Sequence, residues 1–512
     1  MSRRIGVAGA IWIVALLLSR VIGLVRETVL GATLGVSSAA DVYAAAFRIP
    51  DMVNHVVSGG ALSILFIPMF VAHVERGDEA RGWRAFSVIA NFIVLLFLTL
   101  GTAAWIAMPW LAPALTPGFS PEDDAELVRL SRIVLPAQAF HVLGALVSAS
   151  LLAKDKHAIP ALAPLLYTGC TIAGGLIGGD AEGFAWGVLA GAALGVFGLP
   201  LVAALRQGLH WRPVVSFTDP DFRAYIVQSL PIMLAFSIVS FDDTAWTHFA
   251  SRIGEGQVAV LNYAKTLMRV PIGVFGMAMG LAAYPTLVRL VVEGKPGEAY
   301  RLLAATTRKV LVLAFGSQVV LTVAGAELGT LVLGTRRIPA ERMADLGVCL
   351  GLFSLGLGAW TAQTLLARGY YARGKAWAPT WMGFGVLLLA LPVYAALADR
   401  FGAHGLAAAS SVAIVAYVVV LEWRLRADVG EGDGYGGFLL RAIPATALGI
   451  AAGLAVRHAM GPPDWTRLDA LLRASVLAGV GGFVFLGACF ALRLPEAREV
   501  VGMVSRKLRR RG

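Results

Sequence analysis

A chain of 512 residues that is 58% hydrophobic and only 15% charged, with a mean hydropathy of +0.74, is too apolar for a multidomain soluble enzyme. Its 43 Lys and Arg against 32 Asp and Glu leave a formal charge of +11, which loops facing anionic lipid explain more simply than nucleic-acid binding. Cys170, Cys349 and Cys489 stand far apart in apolar stretches, which argues against a disulfide framework and against a zinc site.

The pattern predicts an all-α polytopic membrane protein. Met1-Ser2-Arg3-Arg4 and the apolar run Ile5 to Leu18 imitate a signal peptide, but no cleavage site follows, so the segment is read as a retained first helix. Apolar windows of spanning length follow at 5–25, 53–74, 86–111, 128–153, 158–178, 184–205, 224–250, 258–291, 308–333, 344–368, 376–397, 403–425, 436–456 and 469–493. At roughly 20 residues per crossing this predicts about fourteen transmembrane helices.

Alternate loops are basic: Arg76, Arg81 and Arg84; Lys154 and Lys156; Arg206 and Arg212; Lys295 and Arg301; Arg373 and Lys375; Arg424 and Arg426; then Lys507 to Arg511. The loops between them, such as Glu122-Asp123-Asp124 and Asp180-Ala181-Glu182, are acidic or balanced, with Arg336-Arg337 and Arg342 as the exception. Basic loops remain inside, so a multi-pass membrane protein with both termini cytoplasmic is expected.

A weak internal repeat brings Arg48-Ile49-Pro50 onto Arg269-Val270-Pro271 at an offset of 221. It predicts an N-lobe over 1–210 and a C-lobe over 220–426, six helices each. Two further helices follow over 436–493, then a basic tail over 494–512. Such repeats are the usual build of alternating-access transporters.

Ionisable residues inside apolar helices cost several kcal/mol without a partner or a wet cavity, so they point to function. Arg20 lies about 22 Å into the first helix at 1.5 Å per residue, too deep to reach the cytoplasmic interface easily. Glu27 falls on the same face, and Arg26 about 120° away. Arg26 and Glu27 form either an interfacial cluster or part of a wet cationic cavity. Asp41 either orients an arginine or caps a helix after Ser37-Ser38, and Arg48 precedes Pro50, a helix start or kink. His55 is either hydrogen-bonded to a neighbour or a ligand, and Gly59-Gly60 bend the second helix or let it pack closely. Gln138 and His141 are read as interhelical hydrogen-bond formers.

Lys265 and Arg269 stand i,i+4 on the eighth helix before Pro271, and two cations on one buried face need an anion. Asp242 and Asp243 are candidate charge partners. Cations from both lobes suggest an anionic, phosphorylated substrate. No Walker loop, His-Glu-x-x-His or Gly-x-Ser-x-Gly motif is present, so a transporter is expected and not an enzyme, with no cofactor and no bound metal.

Ser19-Arg20-Val21-Ile22-Gly23-Leu24-Val25-Arg26-Glu27, then Asp41, then Phe47-Arg48-Ile49-Pro50, resemble the start of the MurJ/MviN lipid II flippases. Ile159-Pro160 to Leu166, Leu261-Asn262-Tyr263-Ala264 leading to Leu267-Met268-Arg269-Val270-Pro271, and Leu366-Ala367-Arg368-Gly369-Tyr370-Tyr371-Ala372-Arg373-Gly374 resemble that family in order and spacing.

The resemblance implies the fold of the multidrug/oligosaccharidyl-lipid/polysaccharide exporter superfamily. Two lobes would stand in a V, and the last two helices would line a groove for a polyprenyl tail. It implies an undecaprenyl-pyrophosphate-linked substrate, lipid II, flipped to the outer leaflet, with Arg20 and Arg26 near the pyrophosphate and Asp41 important for function. Membrane lipids and cell-wall synthesis proteins are the implied partners.

The chain departs from the family pattern in the second helix, where Asn54-His55 and Ser58-Gly59-Gly60-Ala61 replace an Arg-Arg pair and an Ala-Glu-Gly-Ala run. In the eighth helix Thr266 stands where an Arg is expected, between Lys265 and Arg269. Residues 376–397 hold no Asp, Glu or Asn, so no sodium site is predicted. Two other readings stay open. One is a divergent exporter of another polyprenyl-linked glycan or amphipathic compound, the other a transport-dead scaffold of cell-wall assembly.

Overall fold

The computed structural model describes residues 2–57, 65–334, 336–429 and 434–509, and among them every regular element is a helix. The packing divides into two compact units, Met1–Ala259 and Val260–Gly512.

The first unit opens with α1 (Ser2–Thr33), longer than the expected window, and Gly35 then turns the chain at φ +66. Helix α2 (Ser38–Ala45) starts where Ser37 Oγ accepts the Ala40 amide, and α3 (Arg48–Val57) carries Pro50 in its first turn, where the missing N–H costs nothing. Of the window 53–74, the described residues give the end of α3 and then α4 (Ile67–Glu75).

Next come α5 (Glu79–Leu115), α6 (Pro121–Ala153), α7 (Ala158–Gly178), α8 (Ala181–Gly191) and α9 (Leu199–Arg206), with α8 and α9 joined by a π-helical segment, Ala192–Gly198. Asp78, Ser120 and Asp180 cap α5, α6 and α8 by accepting the amides of Arg81, Asp123 and Gly183. Helices α7 and α8 run in close contact because glycines line their seam. A Cβ at Gly187 would stand 2.6 Å from the Cys170 carbonyl oxygen. Phe66, Phe70, Trp83 and Phe86 form an aromatic core with ring centroids 4.9–6.0 Å apart, edge-on except for the tilted Phe66–Phe70 pair.

Helix α10 (Pro220–Ser251) packs on α3 and α5 and completes this unit. The sequence pattern expects the lobes to part between residues 210 and 220, whereas the packing boundary lies at Ala259, because α10 buries its surface against the preceding helices.

The second unit takes up α11 (Gln257–Pro271) from its fourth residue. Pro271 ends that helix, a π segment over Ile272–Gly276 follows, and the chain continues as α12 (Met277–Val292), so the single window 258–291 is broken twice. Helix α13 (Pro296–Val323) begins twelve residues before its expected window, whose end is a separate helix, α14 (Gly325–Leu333). Then come α15 (Ala340–Leu355) and α16 (Leu357–Ala372), bent by 40° at Gly356. Two expected crossings, 376–397 and 403–425, share the long α17 (Trp377–Val429), interrupted at Gly402 with φ +58.

Helices α18 (Gly436–Ala459) and α19 (Arg467–Ala491) pair with each other and lean on α13. The expected basic tail proves helical from its start as α20 (Pro495–Arg509), tied to α13 by Arg308–Glu496 at 3.0 Å and Lys309–Glu499 at 2.7 Å.

Among the described residues eight helices are long and apolar enough to cross a bilayer, or nine counting the bent pair α15–α16. Large apolar side chains on their outer faces are exposed, among them Trp110, Leu389, Leu440 and Phe483, as suits contact with lipid chains. The chain is an integral membrane protein. Cys349 and Cys489 are buried and Cys170 half-buried, all three as free thiols.

Candidate functional site

The charged residues of α1 differ sharply in their surroundings. Arg26 is ion-paired to its neighbour Glu27, which is 6% exposed, and Tyr43 of α2 and Tyr167 of α7 lie within electrostatic reach of the guanidinium. Tyr167 in turn meets the His141 ring edge-on, with centroids 5.0 Å apart. Arg20 is half-buried, and among the described residues it makes no hydrogen bond or ion pair. A cation so placed in an apolar helix keeps its capacity for an incoming anion.

Asp41 takes neither of the two roles expected of it, orienting an arginine or capping the helix after Ser37-Ser38. It is 2% exposed, its Oδ2 accepts the Gly256 amide and its Oδ1 the Ala259 amide, both at 2.6 Å. It caps α11, far along the chain, while Ser37 caps its own helix. A carboxylate in that position satisfies two orphan donors and meets the positive end of the helix.

Arg48 is buried against one face of α10. Its Nε donates to Thr247 Oγ1 at 3.0 Å, its Nη1 stands 3.9 Å from Asp243 Oδ2, and its guanidinium lies 4.7 Å from the Trp246 ring centroid. The spacing i, i+3, i+4 brings Asp243, Trp246 and Thr247 to one stripe, so Arg48 ties α3 to α10. Asp243 thus serves an arginine of its own unit, and Asp242 beside it is buried at 9% exposure.

In place of a second-helix arginine pair, α3 carries a polar network. Asn54 Nδ2 donates to Gln138 Oε1 at 2.7 Å, and Gln138 Nε2 donates to Asp51 Oδ1 at 3.0 Å, joining α3 to α6. Gln138 is the interhelical partner expected. His141 instead lies 2.9 Å from the Ala137 carbonyl of its own helix, and His55 Nδ1 lies 2.6 Å from the Asp51 carbonyl. Asp51 escaped the sequence reading, because an acidic residue in a helix's first turn reads as ordinary capping chemistry. Of the expected hinges, Pro50 starts α3 and Pro271 ends α11, while Gly59 and Gly60 lie outside the described residues.

In the second unit Lys265 and Arg269 do not share one environment. Lys265 is 2% exposed, its Nζ 5.7 Å and 5.4 Å from the ring centroids of Phe353 and Trp360 on either side of the α15–α16 bend, whereas Arg269 is exposed. Aromatic faces stabilise an ammonium through their ring quadrupoles. Arg368 of α16 is a further cation that the sequence reading quoted only as part of a motif. Its Nη1 is buried with no hydrogen-bond partner among the described residues, pressed against Gly280, where any Cβ would meet it at 1.5 Å. Its place at the last position of an apolar window hid it, since a terminal Arg reads as an interfacial anchor.

Each unit thus carries cationic side chains of the kind that bind anions. Among the described residues no three His, Cys, Asp or Glu side chains gather in a way that could hold a metal ion.

The family model for "Lipid II flippase MurJ" matches residues 30–466. "Lipid II flippase MurJ" of Burkholderia cenocepacia is 26% identical over 387 residues, covering 73% of this chain and 74% of that protein. "Probable lipid II flippase MurJ" of Rhizobium meliloti is 30% identical over 418 residues, covering 77% and 76%. Among solved structures, a lipid II flippase MurJ in an inward closed conformation aligns with a TM-score of 0.72 at 18% identity, covering 93% of this chain and 97% of that one. An inward-facing multidrug resistance MATE transporter of the MOP superfamily aligns at 0.66 and 14% identity, covering 82% and 98%. At such identities the structures speak for the fold, and the two-lobed exporter fold is the one expected from the sequence. The chain belongs to the lipid II flippase MurJ family.

Proposed function

We propose that this chain translocates lipid II, the undecaprenyl-pyrophosphate-linked peptidoglycan precursor, from the cytoplasmic to the outer leaflet of the bacterial cytoplasmic membrane by alternating access. The observation that carries the reading is the family match over residues 30–466, which relates the chain to proteins named for that activity.

The cations of α1 support it in chemical terms. Arg20 has an open guanidinium and Arg26 is held by a single carboxylate, so both are suited to pyrophosphate oxygens, which arginine binds in bidentate fashion. Lys265, beside the rings of Phe353 and Trp360, and Arg368 are further cationic side chains, on the second unit. The exposed apolar faces of α18 and α19, with Leu440, Leu448 and Phe483, suit a polyprenyl tail that stays in lipid while the headgroup moves.

In this reading both termini are cytoplasmic, and the partners implied are the enzymes that make lipid II inside and polymerise it outside. The test is reconstitution of the purified chain into vesicles loaded with fluorescent lipid II. Time-dependent exposure of lipid II at the far leaflet, weaker for Arg20→Ala, is the expected result. Vesicles with protein that move lipid II no faster than protein-free ones would sink the reading.

A further inference from the structure

At one end of the second unit, α13, the end of α17, the start of α18 and the start of α20 line an open cleft of about 530 Å³. That volume lies in the range of small-ligand sites, roughly 300–1,000 Å³. Arg308, Arg426 and Arg441 line it, and the carboxylate present is that of Glu496, 3.0 Å from Arg308 Nε. Among the described residues three arginines and one carboxylate line the cleft. Arg441 donates from Nη1 to the Arg493 carbonyl at 3.3 Å, which orients the guanidinium without neutralising it, and Arg426 is exposed. Gly434 lets the backbone pass beside Arg426, where a Cβ would come to 2.7 Å of Nη1. Glu422, one turn before Arg426, accepts a hydrogen bond from Tyr300 on the neighbouring helix and lies within electrostatic reach of Arg426.

Two features give the cavity a lipid's shape. Gly436 and Gly437 open a 24-residue membrane-spanning helix inside it, with no side chain capping the first turn, so the positive end of α18 adds to the arginines. From the same place a stripe of exposed apolar side chains, Leu440, Ile443 and Leu448, runs along α18. A soluble anion would use the first feature and leave the second idle. An anionic lipid uses both, its phosphate among the arginines and its chains along the stripe. The sequence that follows, rich in basic residues from Arg506 to Arg511, suits the same negatively charged surface.

We propose that the cavity lined by Arg308, Arg426 and Arg441 is a binding site for a membrane-anchored phosphate group, separate from the cations of α1. The chemistry has two sources, an ordinary anionic phospholipid or a polyprenyl pyrophosphate waiting at the membrane face. The site stands whether or not the chain flips lipid II, because it is argued from the cavity alone.

The test is native mass spectrometry of the full chain in detergent, titrated in separate arms with phosphatidylglycerol, undecaprenyl pyrophosphate and inorganic pyrophosphate, with phosphatidylcholine as the neutral reference. The wild type is expected to retain at least one of the two lipids over phosphatidylcholine. Arg426→Gln/Arg441→Gln is expected to lose that preference by roughly fivefold for each arginine removed.

Arg84→Gln/Arg212→Gln, which removes the same charge from the first unit, keeps the preference, as does Arg426→Lys/Arg441→Lys in large part. Loss in the phosphatidylglycerol arm assigns the site to bulk lipid, and loss confined to the undecaprenyl arm assigns it to the polyprenyl carrier. Equal retention by the Gln variant and the wild type in both lipid arms overturns the proposal. So does inorganic pyrophosphate binding as tightly as either lipid.

Discussion

Asp41 holds the backbone amide of Ala259 at 2.6 Å while its other oxygen takes Gly256, so a side chain from the start of the protein caps a helix 215 residues downstream. Removing it orphans two buried donors at once. Asp41→Ala is expected to destabilise the detergent-solubilised protein by about 2 kcal/mol, the upper end for a lost N-cap. Asp41→Asn, which retains one acceptor oxygen, should cost about half of that. Thermal unfolding of the three proteins side by side checks the order. Equal melting temperatures for Asp41→Ala and the wild type would mean that the cap carries no stability.

Arg26 and Glu27 separate a structural effect from a transport effect. Arg26→Ala leaves a carboxylate of 6% exposure without its counter-ion and is expected to cost about 2–3 kcal/mol, below the figure for a fully buried pair because Arg26 is one-third exposed. Adding Glu27→Gln should recover most of that stability. It should not recover transport, since the cation remains absent. Recovery of both in the double variant would make Arg26 a structural residue.

Gly187 tests the close seam of α7 and α8. With the Cys170 carbonyl 2.6 Å and Thr171 Cα 2.9 Å from its would-be Cβ, Gly187→Ala must push two backbones apart. A loss of about 1–3 kcal/mol is expected, read as a lower melting temperature with unchanged helical content.

The alternation of basic and acidic loops predicts an orientation that labelling can check. In a version without the three native cysteines, a cysteine at Ser216 should resist a membrane-impermeant maleimide in intact cells, and a cysteine at Glu122 should react. The reverse pattern would turn the topology over.

Much of this architecture was legible in the sequence because hydropathy is a local signal. Ten of the expected windows coincide with spanning helices or lie within the bent pair and the long α17. What escaped was set by distant partners or by backbone detail. No window analysis pairs Asp41 with Ala259 or Arg48 with Thr247, 199 residues away, and without those pairs α10 could not be assigned to the first unit.

The breaks at Pro271 and Gly402 arise at residues the sequence displays, but whether such a residue bends a helix, ends it or starts a π segment depends on its packing. The i,i+4 spacing of Lys265 and Arg269 suggested a shared face. The structure places one against Phe353 and Trp360 and leaves the other exposed, because a helix face about 100° wide can straddle a packing edge.

The central claim is that the cations of α1 carry a lipid-linked pyrophosphate across the membrane. Complementation tests it most directly, in a bacterium depleted of its own lipid II flippase that expresses either this chain or its Arg20→Ala/Arg26→Ala variant at matched membrane levels. Growth restored by the wild type and not by the variant is the predicted result. Growth restored equally by both would contradict the cationic mechanism, and growth restored by neither, with insertion verified, would contradict lipid II as the substrate.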